Sequence, residues 1–480
     1  MEVAAHPKAG PNKIALGLGL LAAFAGLIFA VPPAIGQEIN PIILVSAFIL
    51  VSVYIVLSFE LLHRTSVALI GAVSIITASL VLGSIRTEES FEFIVSVIDY
   101  NTIGLLLGMM IIVAILAESG VFQWVGIKAS KASKGDLWKL LLILCTFTAV
   151  VSMFIDNVTT VLLMVPVTIA VFRMFKISPM PFILAQALAS NVGGTATLIG
   201  DPPNIMIGSA ANIDFNTFIM HMGATVAVSF IVSLFLLRFL FRKDLRIKVQ
   251  NIDQLMREDE NVYLKDKNVL KKSMVVLTGV ITLFVVHGSL NIEPSLIALG
   301  GAAVLLVITR ASPERVFREV DWPTLLFFTG LFIIVGTAEH AGMIDILSKA
   351  AINITGGDPW LTFLIIVWLS AIASAFIDNI PFAATMIPLI QTVNLDPNIA
   401  ALFGGFAVSP LWWGLALGAD FGGNGTLIGS SAGVVAAGIS EKHGHPISFN
   451  RWFKVGFPFM IITTAIGTVV LAFDILLRIP

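Results

Sequence analysis

The sequence predicts an all-α polytopic membrane protein made of two inverted-topology repeats, with re-entrant hairpins and broken helices. Three observations carry this reading. Hydrophobic residues are 57% and charged residues 12% of the 480 positions, against roughly 45–50% and ~25% in soluble domains, and mean hydropathy is +0.97. Apolar runs near the ~20 residues that cross a bilayer recur along the chain. The two halves also match each other at a fixed offset.

The first span is Ile14–Pro33, behind Lys8 and Lys13; it is long for a signal peptide and no clear small-residue cleavage site follows. Further spans are expected at 41–59, 66–85, 102–118, 217–240, 274–290, 295–309, 323–339 and 455–477. Residues 137–172 are apolar over a length far beyond one crossing at ~1.5 Å per residue, and Asp156-Asn157-Val158-Thr159-Thr160 interrupts them midway. Residues 361–392 repeat this around Asp378-Asn379-Ile380-Pro381. Segments 182–210 and 399–440 are apolar stretches broken by Gly, Asn and Asp. The hydrophilic stretch 241–273 carries nine Lys/Arg and six Asp/Glu and separates the halves.

An offset of 222 aligns Asp99/Thr102 with Asp321/Thr324, Gly108 with Gly330, Gly120 with Gly342, and Ser152 with Ser374. It superposes Phe154-Ile155-Asp156-Asn157 on Phe376-Ile377-Asp378-Asn379 and Pro166 on Pro388 without a gap. The offset then slips by seven, matching Thr197-Leu198-Ile199-Gly200 to Thr426-Leu427-Ile428-Gly429. The expected division is N-terminal spans 1–65, repeat one 66–216, a linking span and loop 217–273, repeat two 274–454, and a final span 455–480.

Positive charge sets the orientation. Lys128, Lys131, Lys134 and Lys139 precede the first long segment, and Arg173 and Lys176 follow it. Both flanks then lie in the cytoplasm, so 137–172 is a hairpin with Asp156 at its tip. The flanks of 361–392 have no Lys or Arg in 351–360 or 393–398, which places its entry outside. With a cytoplasmic N-terminus, this threading leaves only Arg86, Lys349 and Arg478 of the 28 Lys/Arg outside. The expected location is the plasma (inner) membrane.

Composition also excludes several functions. Cys145 is the only cysteine, so no internal disulfide or thiolate cluster can form. A GxxxxGK[ST] loop is absent, so the chain is no self-contained ATPase of that class, and no nucleic-acid-binding character is present. Neither an enzymatic activity, a cofactor nor a resident metal is expected.

Inverted repeats with broken helices are the architecture of secondary transporters, whose sites lie where unwound backbone from both repeats meets. Asp156, Asn157, Thr159 and Thr160 come from the first tip, and Asp378 and Asn379 from the second. The breaks contribute Asn191, Gly193, Gly194, Thr195 and Thr197, then Asp420, Gly422, Gly423, Asn424, Gly425 and Thr426. Asn and Thr oxygens bind cations or accept hydroxyl hydrogen bonds, while glycines let the chain leave helical geometry. Intramembrane carboxylates cost ~2.5–3.5 kcal/mol even on the lenient scale and read as functional. Asp156, Asp378 and Asp420 are therefore the expected proton-coupling residues, although each tip aspartate also suits an N-cap. Asp201, before Pro202-Pro203-Asn204, either faces the cavity or caps the descending half-helix. The glycine pairs also suit close helix contact. Glu118, Glu339, His443 and His445 read as solvated groups and Cys145 as packing. With several carboxylates and no Lys or Arg, the site favours a neutral or cationic substrate exchanged for protons.

The segments NVGGTATLIGDPPN (Asn191–Asn204) and GADFGGNGTLIGSSAGVV (Gly418–Val435), with the paired FIDN tips, resemble signatures of the arsenite permease / sodium–proton antiporter group. That group includes the pigmentation P-protein and belongs to the ion transporter superfamily. The resemblance covers nearly the whole chain from about residue 41. It implies a fold like that of the divalent-anion/sodium symporters, with a scaffold and an elevator-like moving domain. It also implies export of arsenite or antimonite in exchange for protons, assisted in some members by a separate ATPase subunit. Sodium(lithium)–proton antiport is the alternative and organic-anion transport the next. The tips depart from the symporters, whose Ser-Asn-Thr is here Asp-Asn-Val-Thr and Asp-Asn-Ile-Pro.

Overall fold

A computed structural model of the chain describes residues 11–34, 40–249 and 252–479, and every regular element among them is helical. The order begins α1 (Pro11–Ala34), α2 (Pro41–Ser58), α3 (Arg64–Val81), α4 (Ser90–Val97), α5 (Tyr100–Glu118) and α6 (Val121–Ser133). The first hairpin is α7 (Leu137–Ser152) with α8 (Asn157–Phe175), and the first broken helix is α9 (Met180–Gly194) with α10 (Pro202–Ala211). Then come α11 (Phe215–Leu240), α12 (Ile252–Arg257), α13 (Lys267–Leu290), α14 (Pro294–Thr309), α15 (Pro313–Glu319), α16 (Trp322–His340) and α17 (Met343–Thr355). The second hairpin is α18 (Pro359–Phe376) with α19 (Asn379–Val393); α20 (Pro397–Phe403), α21 (Pro410–Gly422), α22 (Ser431–Lys442) and α23 (Phe449–Leu477) complete the chain. Among the described residues, nine helices are long and apolar enough to cross a membrane.

Every span expected from hydropathy has its helix. α13 and α23 begin several residues earlier than the apolar runs, because Asp266 and Ser448 cap them within polar sequence. The short α4, α6, α12, α15, α17 and α20 were not legible as spans, since none has the length to cross.

The repeat extends to local geometry. The 222 offset carries the bounds of α5 and α6 onto those of α16 and α17. Asp99 accepts from the Thr102 hydroxyl (2.5 Å) and amide (3.1 Å), and Asp321 does the same with Thr324 (2.5 and 3.2 Å). Gly120 and Gly342 both hold left-handed backbone, at φ +80° and +87°, where an L side chain is strained. Pro166 and Pro388 both lie inside second hairpin arms.

One prediction needs correction. Segment 399–440 divides into three helices, because Gly404-Gly405 ends α20 and Ser409 caps a new start at Pro410. The seven-residue slip in the repeat corresponds to α20, itself seven residues long and without a counterpart between α8 and α9.

The chain forms two compact units. One comprises the described residues up to Ile103 with Asp321–Thr362 and Pro381–Gly405; the other comprises Gly104–Val320, Phe363–Ile380 and the residues from Phe406. Each draws on both repeats. In the first unit a Cβ at Gly330 of α16 would lie 2.8 Å from the Ala68 carbonyl carbon of α3. In the second, a Cβ at Gly108 of α5 would lie 2.5 Å from the Ala298 carbonyl carbon of α14. α5 and α16 are repeat equivalents, as are α3 and α14 by their place in the order. Each repeat therefore inserts its glycine-bearing helix against a helix of the other.

Candidate transport site

Helices α8, α10, α19 and α22 begin at Asn157, Pro202, Asn379 and Ser431, first residues that all lie in the second unit, and side-chain hydrogen bonds tie these starts together. The hub is Asp201, which is fully buried. Asn157 donates to Asp201 Oδ2 at 2.6 Å, and Asn379 donates to both carboxylate oxygens at 3.2 and 3.3 Å. The two hairpin tips thus meet on one carboxylate from the first break. Asp201 occupies the N-cap position of α10 but makes no side-chain cap bond.

The tip aspartates do cap their helices. Asp156 Oδ1 accepts from the Thr159 amide (2.9 Å). Asp378 Oδ1 accepts from the Ile380 amide (3.1 Å) and Oδ2 from the Ser431 hydroxyl (2.6 Å). The Thr160 hydroxyl turns back to the Ile155 carbonyl (3.3 Å).

The breaks are joined through amides. Asn191 accepts from Asn157 (3.1 Å) and donates to Asn424 Oδ1 (3.0 Å) and Ser430 Oγ (2.9 Å). Asn204 donates to the Gly194 and Thr197 carbonyls (3.2 and 3.1 Å). Thr195 donates to the Asn191 carbonyl (2.8 Å). Thr197 and its equivalent Thr426 donate to the Met153 and Ala375 carbonyls, pinning each break to the end of a hairpin arm. Trp452 donates to the Asn424 carbonyl (3.2 Å).

The glycines serve close approach. A Cβ at Gly193 would sit 2.3 Å from Ala149 O, and one at Gly422 2.5 Å from Ala371 O, the repeat-equivalent contact. Gly194 and Gly423 face the Gly200 and Gly429 carbonyls in the same way, at 2.6 and 3.1 Å. Gly425 packs against Ala375. These glycines set the backbone geometry of the site.

Asp420 differs from the other carboxylates. It is fully buried and neither oxygen has a hydrogen-bond partner, although the Asn204 and Thr195 side chains lie beside it. Asn204 Oδ1 and Asn424 Nδ2 are also buried without partners.

Ser430 and Ser431 were missed in the sequence. The 229 offset that pairs Asn191 with Asp420 also carries Asp201 onto Ser430, and that signal would have found it. Elsewhere, Glu118 pairs with Arg315 at 2.9 Å, His443 pairs with the Ile439 carbonyl of its own helix, and Cys145 is buried within α7.

No Lys, Arg or His occurs in 140–172, 180–215 or 361–441. The positive charge available to the site is that of four helix N-termini, roughly +0.5 each. That offsets about half of four carboxylates. Asp201 lies in the field of Asp420, Asp378 and Asp156, so the site is acidic on balance.

Comparisons with known proteins agree with this architecture. An uncharacterized transporter of Mycobacterium bovis is 39% identical over 89% of this chain and 97% of its own length. The P protein of Homo sapiens is 33% identical over 88% of this chain, which spans 59% of that longer protein. The solved YdaH transporter of Alcanivorax borkumensis shares the fold, with a TM-score of 0.55 at 14% identity over 86% of this chain and 98% of that one. Residues 54–418 match the citrate transporter family, CitMHS. The chain is thus a multi-pass membrane transporter, and it belongs to the CitMHS citrate transporter family.

Proposed function

We propose that this transporter exchanges protons for a substrate that carries no net negative charge at the site, and that it exports arsenite or antimonite across the plasma membrane. The supporting observation is the four-carboxylate cluster without a basic side chain. Arsenous acid is neutral near neutral pH, and its three hydroxyls match the carboxylate and amide oxygens of Asp420, Asn204, Asn424 and Asn191. The excess of positive loops on one side supports a cytoplasmic N-terminus. Sodium(lithium)–proton antiport would use the same oxygens as hard ligands. The family description favours an organic anion as a further reading. Citrate carries three negative charges and would need accompanying cations or protons here. The separate ATPase subunit implied by the sequence resemblance is not required for proton-driven exchange.

Transport into inside-out vesicles with an imposed pH gradient, comparing arsenite, antimonite, Na⁺, Li⁺ and citrate, tests these readings. Gradient-dependent arsenite uptake, retained in Cys145→Ser and impaired in Asn191→Ala, is expected. Na⁺ or Li⁺ flux without arsenite flux would move the assignment to antiport. Uptake of free citrate, independent of cations and protons, would refute the charge argument.

A further inference from the structure

The repeat makes an internal comparison possible. An offset of 229 carries Asn191 to Asp420, Asp201 to Ser430 and Thr195 to Asn424. In one half of this arrangement the Asn191 amide donates to Ser430 (2.9 Å) and Asn424 (3.0 Å). The equivalent set is Asp420 with Asp201 and Thr195. There two carboxylates stand where the other half has an amide and a hydroxyl.

Three further observations single out Asp420. Asp156, Asp378 and Asp201 stand immediately before helices, where the dipole is positive, whereas Asp420 lies in the last turn of α21, where it is negative. Asp201 accepts from two amides while Asp420 accepts from no group in hydrogen-bond geometry. The Asn204 amide donates to two carbonyls, and its Oδ1 is buried without a partner. Ionised Asp420 would set a second buried charge in the field of Asp201, with both of its own oxygens unpartnered.

We propose that Asp420 carries the exchanged proton, held as a neutral carboxyl in one cluster with Asp201, and that Asp156 and Asp378 serve as helix caps. This narrows the coupling group within the proton-exchange reading and rests on it. The proton removes the second buried negative charge of the Asp201–Asp420 pair, and its departure to water restores that charge. The charged and titratable groups around this position are few. Asp201 lies in the field of Asp420 and also of Asp156 and Asp378 from the tips. On α11 and α23, packed against α21, His221 and Asp474 pair at 2.9 Å, Arg478 binds Asp474, and His221 stacks on Trp413, seven residues before Asp420. Arg451 and Lys454 lie near the other end of α23.

The test is infrared spectroscopy of the full-length protein in lipid at neutral pH, following the carbonyl stretch of protonated carboxylic acids and its shift in D₂O. The wild type should show such a band. Asp420→Asn should abolish it, and Asp420→Glu should restore it at a displaced frequency. Asp156→Asn and Asp378→Asn, which keep good cap residues, should retain it. Absence of the band in the wild type, its survival in Asp420→Asn, or its loss in either cap variant would overturn the assignment. The readout needs no substrate. A band without pH-driven flux of any tested substrate refutes the exchange reading alone, whereas flux without a band refutes Asp420 as the carrier.

Discussion

Replacing Asn157 with Ala removes the side chain that joins the first hairpin tip to both the hub and the first break. Its amide makes one bond to the Asp201 carboxylate at 2.6 Å and one to Asn191 Oδ1 at 3.1 Å. A bond to a charged acceptor contributes about 1.5–3 kcal/mol and a neutral one about 0.5–1.5 kcal/mol. Asn157→Ala should therefore destabilise the fold by about 2–4 kcal/mol, since the Asp201 carboxylate it leaves is fully buried. Asn379→Ala makes a useful contrast: its one amide is shared between two oxygens of Asp201 at 3.2 and 3.3 Å, so about half that loss is expected. Reversible unfolding in mixed micelles, with each alanine variant also measured on an Asp201→Ala background, provides the double-mutant cycle. The Asn157 penalty should shrink on that background by the charge-assisted share. Strict additivity of Asn157→Ala and Asp201→Ala, or a larger loss for Asn379→Ala, would refute the hub role of Asp201.

Three other predictions follow from the packing and the loops. Gly193→Ala and Gly422→Ala place a Cβ against backbone that cannot rotate away, and each should lower stability by about 1–3 kcal/mol in the same unfolding assay; unchanged stability would remove the close-approach role. Cysteines replacing Lys134 and Arg173 should label from the cytoplasm, and one replacing Asp358 from outside; labelling of the first two from opposite faces would make 137–172 a crossing segment. Lys131 donates to Glu260 (2.5 Å) and to the Glu258 carbonyl, and the Lys131 hydrogen bond holds the Glu260 carboxyl below the usual range. This contact stabilises the loop above the ordinary Glu value of ~4.3 and is lost as pH falls through and below it. Hydrogen-exchange protection over 258–263, taken relative to the intrinsic amide rate at each pH, should then fall on acidification in the wild type. Lys131→Ala should remove that fall, and an equal fall in the variant would show that another group is responsible.

Much of the architecture was legible because membrane insertion writes itself into composition. Spans need length and apolarity, hairpins needed a polar interruption, and a duplicated FIDN gave the pairing of the tips. The meeting of Asn157 and Asn379 on Asp201 was only half visible. The sequence placed the tips and breaks together, but Asp201 also fitted a cap, and nothing in its neighbours Gly200 and Pro202 chose between the two. The roles of Gly193 and Gly422 depend on where Ala149 and Ala371 lie, a long-range fact that no local pattern records. The short helices escaped because amphipathic segments such as α17 lack the length that hydropathy detects. The isolation of Asp420 required knowing which donors were already committed elsewhere.

The exchange of glycine-bearing helices between repeats has a bearing on how the chain is made. Ala68 of α3 meets Gly330 of α16, a residue synthesised long after α3 has entered the bilayer. α3 must therefore wait in lipid, packed against α2 but with the side-chain-poor surface around Ala68 uncovered. The reciprocal seat, α5 against α14, fills earlier, when Ala298 emerges. Biogenesis thus proceeds with one seat occupied and the other held open until the second half arrives. A truncated chain ending before α16 would expose the Ala68 face to any other helix with a small residue, which makes that face a natural recognition point for membrane quality control.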